Sequence, residues 1–201
     1  MERRTIHRVV AASNNLHKLS EFRAAVGPEF QILSLEDIGC RDELPETTDT
    51  LEGNSRQKAA FVFEKYGLPC FSDDTGLEVY ALGGAPGVYS ARYAGEQKNS
   101  DDNIDLLLKN LKNIEDRRAQ FRTVITLMGM GEPQMFEGIV TGVILHERRG
   151  TGGFGYDPIF LPDGYLKSLA EMTMDEKNAI SHRGRAVKQL VAYLNRGISA
   201  F

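Results

Sequence analysis

The chain lacks most of the features that place a protein quickly. It has two cysteines, Cys40 and Cys70, with no metal-ligand spacing between them. That pattern excludes a disulfide framework and reads as two reduced thiols in an intracellular protein. There is no basic surplus: 24 Lys and Arg stand against 28 Asp and Glu, for a net charge of −4. A general nucleic-acid binder is usually basic, so no nucleic-acid partner is expected. No apolar run approaches the length of a membrane span, and no membrane partner is expected either. Residues 1–7 are charged and lead into a strand-like run, without the apolar core or small-residue cleavage site of a signal peptide. The expected compartment is the cytoplasm. The glycine framework of a P-loop is missing. No internal repeat, linker or low-complexity tract divides the chain, and 201 residues suit one domain over 1–201.

What is present is the composition of a globular protein with ample core, 41% hydrophobic and 26% charged. Residues 9–12 form a short apolar run that reads as a buried strand. Ser13, Asn14 and Asn15 follow as turn and capping residues, and a helix carries Leu19, Phe22, Ala25 and Val26 on one face. Strand, polar turn and helix start can make an anion site, because first-turn N–H groups point outward and Lys18 adds charge. The same pattern also describes an ordinary capped helix with a solvated lysine. Residues 30–35 suggest a second strand, and 38–49 an irregular acidic loop containing Glu46. Leu51 to Tyr66 reads as a helix ended by Gly67. A helix capped by Ser100, Asp101 and Asp102 is expected to run to about Asn113. Residues 121–130 and 134–145 read as two long strands, with Gly138 and Gly142 marking bends or bulges.

Three stretches carry chemistry. Ser72-Asp73-Asp74-Thr75-Gly76-Leu77 sets two adjacent carboxylates between an apolar run at 68–71 and a second at 77–82. Placed at a strand end in a glycine turn, they can hold a divalent cation and activate water; Asp and Gly also favour turns on local grounds alone. Residues 150–158, Gly-Thr-Gly-Gly-Phe-Gly-Tyr-Asp-Pro, allow close backbone approach to a ligand, and Phe154 and Tyr156 flank Gly155 as candidate stacking rings. Thr173 and Glu176 form a capping box for a helix holding Lys177, followed by His182 and the planar donor fork of Arg183. Strands and helices intermix and the longest strands are consecutive, so an α/β or α+β domain with a mixed sheet is expected.

Together these stretches resemble the inosine triphosphate pyrophosphatase family, the house-cleaning purine nucleotidases of the RdgB type. The resemblance runs from Val9 to about Ala192. Ser13-Asn14-Asn15-Leu16-His17-Lys18 is similar to the family's phosphate loop, and Ser72 to Leu77 to its acidic signature. Residues 82–93, 150–158 and 176–184 follow in the family's order. One departure stands out: Leu51-Glu52-Gly53-Asn54-Ser55 has Gly53 where the family has Glu, while Asn54 and Lys58 are kept.

The resemblance implies an α/β fold with a long, mixed, twisted sheet flanked by helices, and two lobes with a central substrate cleft. It implies Mg²⁺-dependent hydrolysis of ITP, dITP and XTP to the monophosphate and pyrophosphate, cleansing the nucleotide pool, by a homodimer. Substrate binding falls to Ser13, Asn14, Asn15, Leu16, His17 and Lys18 on the phosphate side. Thr75, Phe154, Gly155, Tyr156, Asp157, Lys177, His182 and Arg183 complete the substrate set. Mg²⁺ falls to Glu46, Asp74 and Asp73, with Asp74 also the catalytic base. In extended backbone adjacent side chains face opposite ways, so Asp74 is expected to be primary and Asp73 supporting. A pyrophosphatase for modified pyrimidines and a nucleotide-binding module without turnover are the competing classes. The two glycine and histidine motifs argue against the first, and retention of Lys18, Asp73 and Asp74 against the second.

Overall fold

The structure is a computed structural model that describes residues 6–198, apart from the side chains of residues 17, 197 and 198. It contains a mixed seven-stranded sheet in the order β2-β1-β3-β5-β6-β7, with β4 paired to β3. The strands are β1 (His7–Ala11), β2 (Phe30–Leu33), β3 (Cys70–Val79), β4 (Pro86–Gly87), β5 (Arg118–Met128), β6 (Gln134–Ile144) and β7 (Phe160–Pro162). The helices are α1 (Leu16–Ala25), α2 (Leu51–Tyr66), α3 (Ser100–Asn110), α4 (Met174–Ile180) and α5 (His182–Ile198). By contact the chain forms two compact units, with the divides falling between Asp74 and Thr75, Thr123 and Val124, Glu137 and Gly138, and Arg185 and Ala186.

In the first unit β1 runs parallel to both β2 and β3, pairing Val9 with Ile32 and Ala11 with Phe71. Parallel neighbours need a crossover, and α1 and α2 supply it. Both faces of β1 are covered. Val9 and Ala11 join Phe22, Phe71, Leu190 and Leu194 in one core cluster. Val10 and Ala12 join Ala59, Val62 and Cys70 in another. A strand buried on both faces has no polar side to show, which is why residues 9–12 are uniformly apolar.

In the second unit β4 pairs antiparallel with β3, setting Leu77 against Gly87, and β7 pairs antiparallel with β6, setting Gly142 against Pro162. Its core gathers Leu77, Ile104, Leu107, Phe121, Ile159 and Phe160. Gly142 is a close approach to β7, since a Cβ there would strike the Leu161 carbonyl.

Two local expectations are corrected, the place of the acidic pair and the cap of α3. The acidic pair does not end a strand: Asp73 and Asp74 sit inside the ten-residue β3. Gly76 is small because β4 crosses it, and a Cβ would lie 2.6 Å from the Gly87 carbonyl oxygen. The apolar run at 77–82 stops being strand at Val79 and turns through Tyr80–Leu82 as a single 3-10 turn. The cap of α3 is Asn99, whose side chain accepts from the N–H groups of Asp101 and Asp102, and the helix ends at Asn110.

Candidate functional site

In the first unit the turn after β1 is closed by its own side chains. Ser13 Oγ accepts from the Asn15 N–H at 3.2 Å, and Asn15 Oδ1 from the Lys18 N–H at 3.2 Å. Asn15 thus caps α1, one orphan amide satisfied at the third position of the helix. Asn14 and Leu16 are exposed, and the side chain of His17 lies outside the described residues. Lys18 reaches back from the first turn of α1 to β3, where its ammonium is 2.9 Å from Asp73 Oδ2.

Asp74 faces the other way and meets α2. Lys58 Nζ lies 3.2 Å from Asp74 Oδ1 and 2.5 Å from Glu46 Oε1. Asn54, one turn earlier on the same helix face, donates to Asp74 Oδ2 at 3.3 Å. Its own carbonyl oxygen accepts from the N–H and hydroxyl of Thr48, tying down the loop that carries Glu46. Gly53 belongs to this arrangement: a Cβ there would strike the Thr48 side chain, so the family's Glu would displace it. Burial pushes the Asp74 carboxyl above its usual range, against the pull of Lys58 and Lys18 and with the help of Glu46 and Asp73. Burial opposes the Lys58 charge, but Asp74, Glu46 and Asp73 outweigh it and hold its pKa above the usual value.

One ammonium bridging Glu46 and Asp74 shows that a single cation can serve both carboxylates. An all-oxygen pair of this kind suits a hard divalent ion. Among the described residues, no three His, Cys, Asp or Glu side chains converge as a complete metal cage. The three acids are divided instead, Asp73 to Lys18 and the other two to Lys58. Part of any metal shell would therefore come from substrate and water.

The second unit assembles a different set. Ser181 separates α4 from α5 and accepts from the Gly184 N–H at 3.0 Å, which places His182 and Arg183 in the first turn of α5. Gly184 is forced, since a Cβ would strike the Asn178 carbonyl. Arg183 is buried, with Nη2 3.4 Å from Thr75 Oγ1 and its guanidinium 5.3 Å from the centre of the Phe154 ring. Lys177 Nζ lies 4.6 Å from the same ring and 2.8 Å from Asp157 Oδ2. That carboxylate oxygen also accepts from the Phe154 N–H at 2.8 Å, closing the glycine loop. Two cations on one aromatic ring make a flat, positively edged surface with several donors.

Tyr156 departs from expectation. It is buried in the core of the second unit, and its hydroxyl donates to the Ser90 carbonyl at 2.9 Å. A ring held there stacks on nothing outside the core, so Phe154, half-buried, is left as the one stacking ring of the loop. Gly155, at φ +60°, supplies the left-handed turn between the two aromatics. Two participants carry no assigned role in the sequence, Asn54 and Lys58, polar residues one turn apart on the buried face of α2.

The chain is similar to known proteins over nearly its whole length. The Ham1 family model matches residues 9–193. A dITP/XTP pyrophosphatase of Flavobacterium johnsoniae is 54% identical over 187 residues, covering 93% of this chain and 97% of that one. Among solved structures, the Staphylococcus aureus Ham1 protein aligns with a TM-score of 0.87 at 40% identity, covering 94% of this chain and 98% of that one. A Coxiella burnetii HAM1 protein aligns with a TM-score of 0.88 at 38% identity, covering 95% and 100%. On sequence and on fold alike, the chain belongs to the Ham1 family.

Proposed function

We propose that this protein hydrolyses aberrant purine nucleoside triphosphates, ITP, dITP and XTP, to the monophosphate and pyrophosphate. The observation that carries the reading is the Lys58 ammonium between Glu46 and Asp74, a cation position on two carboxylates next to the lysine-bearing start of α1. The relatives that share this chain's sequence over most of its length bear the name dITP/XTP pyrophosphatase.

The roles divide between two residue sets. Lys18 binds the phosphate chain at the capped start of α1, a position that favours anions; the Ser13 and Asn15 N–H groups are already engaged within the turn, by the Ala11 carbonyl and Ser13 Oγ. Glu46 and Asp74 would hold Mg²⁺. When bound, the ion supplies charge neutralisation on the triphosphate. Asp73 fixes Lys18 rather than adding a ligand of its own. Asp74 accepts the proton of the attacking water as the α–β anhydride opens and pyrophosphate leaves. Burial raises its pKa toward the working range of a base, and Asn54 holds its second oxygen.

Base choice follows from donors. Hypoxanthine and xanthine offer a 6-keto acceptor, where adenine offers a 6-amino donor. Phe154 stacks on the ring, and His182 and Arg183 donate to the 6-keto oxygen, with Lys177 reaching base or phosphate. Against adenine those donors meet a donor, a mismatch that discriminates by about 10⁴ where a site is built for the hydrogen bond. We also propose a cytoplasmic homodimer, as the family resemblance implies, to be checked by light scattering on a sizing column. No described helix is long and apolar enough to cross a membrane.

The test is pyrophosphate release from ITP, XTP, GTP, ATP and dUTP, each with Mg²⁺ and with EDTA. Mg²⁺-dependent release from ITP and XTP with little from ATP is expected. Turnover of dUTP alone would discard the purine pocket, and tight ITP binding without turnover would make the protein a nucleotide-binding module.

A further inference from the structure

We infer that Phe121 and Thr123 on β5 are positioning residues for purine selection: they orient His182 and Arg183 from beneath. This rests on the base-reading role proposed above for that pair. In β5 the buried positions alternate through Ala119, Phe121 and Thr123, so the last two share a face. Each touches one arm of the base-reading set.

Phe121 lies under His182. The two rings are stacked with centroids 4.6 Å apart and planes 16° apart. A face-on neighbour leaves the imidazole only its edge for hydrogen bonding, which fixes the plane in which its ring nitrogens can meet a base. Phe121 is itself held by Phe160, centroids 4.7 Å apart at 54°. Phe160 is fully buried in the core of this unit, so the His182 plane is set by packing. Thr123 acts on the other arm. Its Oγ1 is 2.7 Å from Thr75 Oγ1, and that hydroxyl in turn lies 3.4 Å from Arg183 Nη2. A guanidinium only donates, so Thr75 must present a lone pair to it. The bond to Thr123, which is fully buried, fixes the Thr75 rotamer that does so. Threonine χ1 has few wells, and a 2.7 Å partner selects among them.

A scaffold role alone predicts equal losses for every nucleotide. A positioning role predicts a change in preference, because the 6-keto oxygen is where His182 and Arg183 act. The experiment measures kcat/KM for ITP and for ATP with Mg²⁺ in Thr123→Val, Thr123→Ser, Phe121→Leu, His182→Gln and Arg183→Ala, each checked for folding by far-UV circular dichroism. Thr123→Val keeps the shape and removes the hydroxyl; Thr123→Ser restores it. We expect the ITP-to-ATP ratio to fall about three- to tenfold in Thr123→Val and Phe121→Leu, the scale of one lost hydrogen bond or ring contact, with Thr123→Ser near wild type. A ratio within about twofold of wild type in both variants, with His182→Gln and Arg183→Ala lowering it, overturns the positioning role and leaves the base-reading role standing. A ratio unmoved by His182→Gln and Arg183→Ala overturns the base-reading role itself. Should Phe121→Leu fail to fold, the Thr123 valine and serine pair decides alone.

Discussion

Replacing Asp157 by asparagine isolates one buried ion pair. Lys177 Nζ sits 2.8 Å from Asp157 Oδ2, and the two side chains are 6% and 4% exposed. Asparagine keeps a carbonyl oxygen that can still accept from the Phe154 N–H, so the loop closure survives and only the charge is lost. Lys177 would then keep its ammonium in the same buried place and lose its carboxylate. Removing one partner of a pair this buried costs about 3–5 kcal/mol, because the remaining buried charge loses its carboxylate. For a chain of this size that is a fall in Tm of about 6–20 °C. The chain has no tryptophan, so unfolding is followed by far-UV circular dichroism in urea. The double variant Asp157→Asn, Lys177→Met removes both charges and should recover at least about half of the loss, as apolar replacement of buried pairs does. It should still turn over ITP poorly, since the Lys177 charge over Phe154 is gone. Stability of Asp157→Asn within about 0.5 kcal/mol of wild type, or a double variant no better than the worse single, would refute the reasoning.

Asp74→Asn should lower Mg²⁺-dependent pyrophosphate release by about 10²- to 10⁴-fold, the range of general-base loss, and near-full release would remove Asp74 from the mechanism. The Lys58 pKa is raised above its ordinary 10.5, so its stabilisation is full below that pH and is lost as pH rises through the folded value. The stability gap between wild type and Lys58→Met, followed by urea titration, should therefore narrow above pH 10.5; a gap constant to higher pH speaks against it. Burial pushes the Cys70 thiol to about 12. In a Cys40→Ser background Cys70 should react with a disulfide reagent only on unfolding, and rapid native labelling would contradict its burial. Ser55 donates to the Ser72 carbonyl at 2.8 Å and shares a hydroxyl bond with Thr126 at 2.9 Å, all buried. Ser55→Ala should cost about 1–3 kcal/mol in urea, and a change under about 0.5 would show the cluster adds nothing net.

Much of this architecture is written in local pattern. Residues 9–12 announce a strand covered on both faces, and the polar turn after them announces the capped start of α1. Helix α2 was legible to both ends, with Gly67 in the left-handed region at φ 63°. Two of the differences have one physical source, contacts between residues distant in sequence. Gly76 looks like turn punctuation until β4 is laid across it, and then it is the absence of a Cβ that matters. Phe154 and Tyr156 are equivalent neighbours of Gly155 until Tyr156 finds the Ser90 carbonyl, 66 residues away. The α3 cap differs for a local reason: Asn99 and Ser100 are both good caps, and only the backbone decides between them.

The acidic pair shows how a local rule and a distant contact combine. Adjacent residues of a strand face opposite ways. In β3 that alternation sends Asp73 to the lysine of α1 and Asp74 to the lysine of α2. The environments then diverge. Asp73 is fully buried and within 3 Å of its ammonium, so its carboxylate is committed to holding Lys18 in place. Asp74 keeps 13% of its side chain exposed and shares its lysine with Glu46. Burial and two neighbouring acids push its pKa up while Lys58 and Lys18 pull it down. A base needs solvent access, and of the two Asp74 is the one that has it. Unequal environments for identical side chains thus follow from strand geometry and from the lysine that each one meets, and the roles proposed for Asp73 and Asp74 rest on that difference.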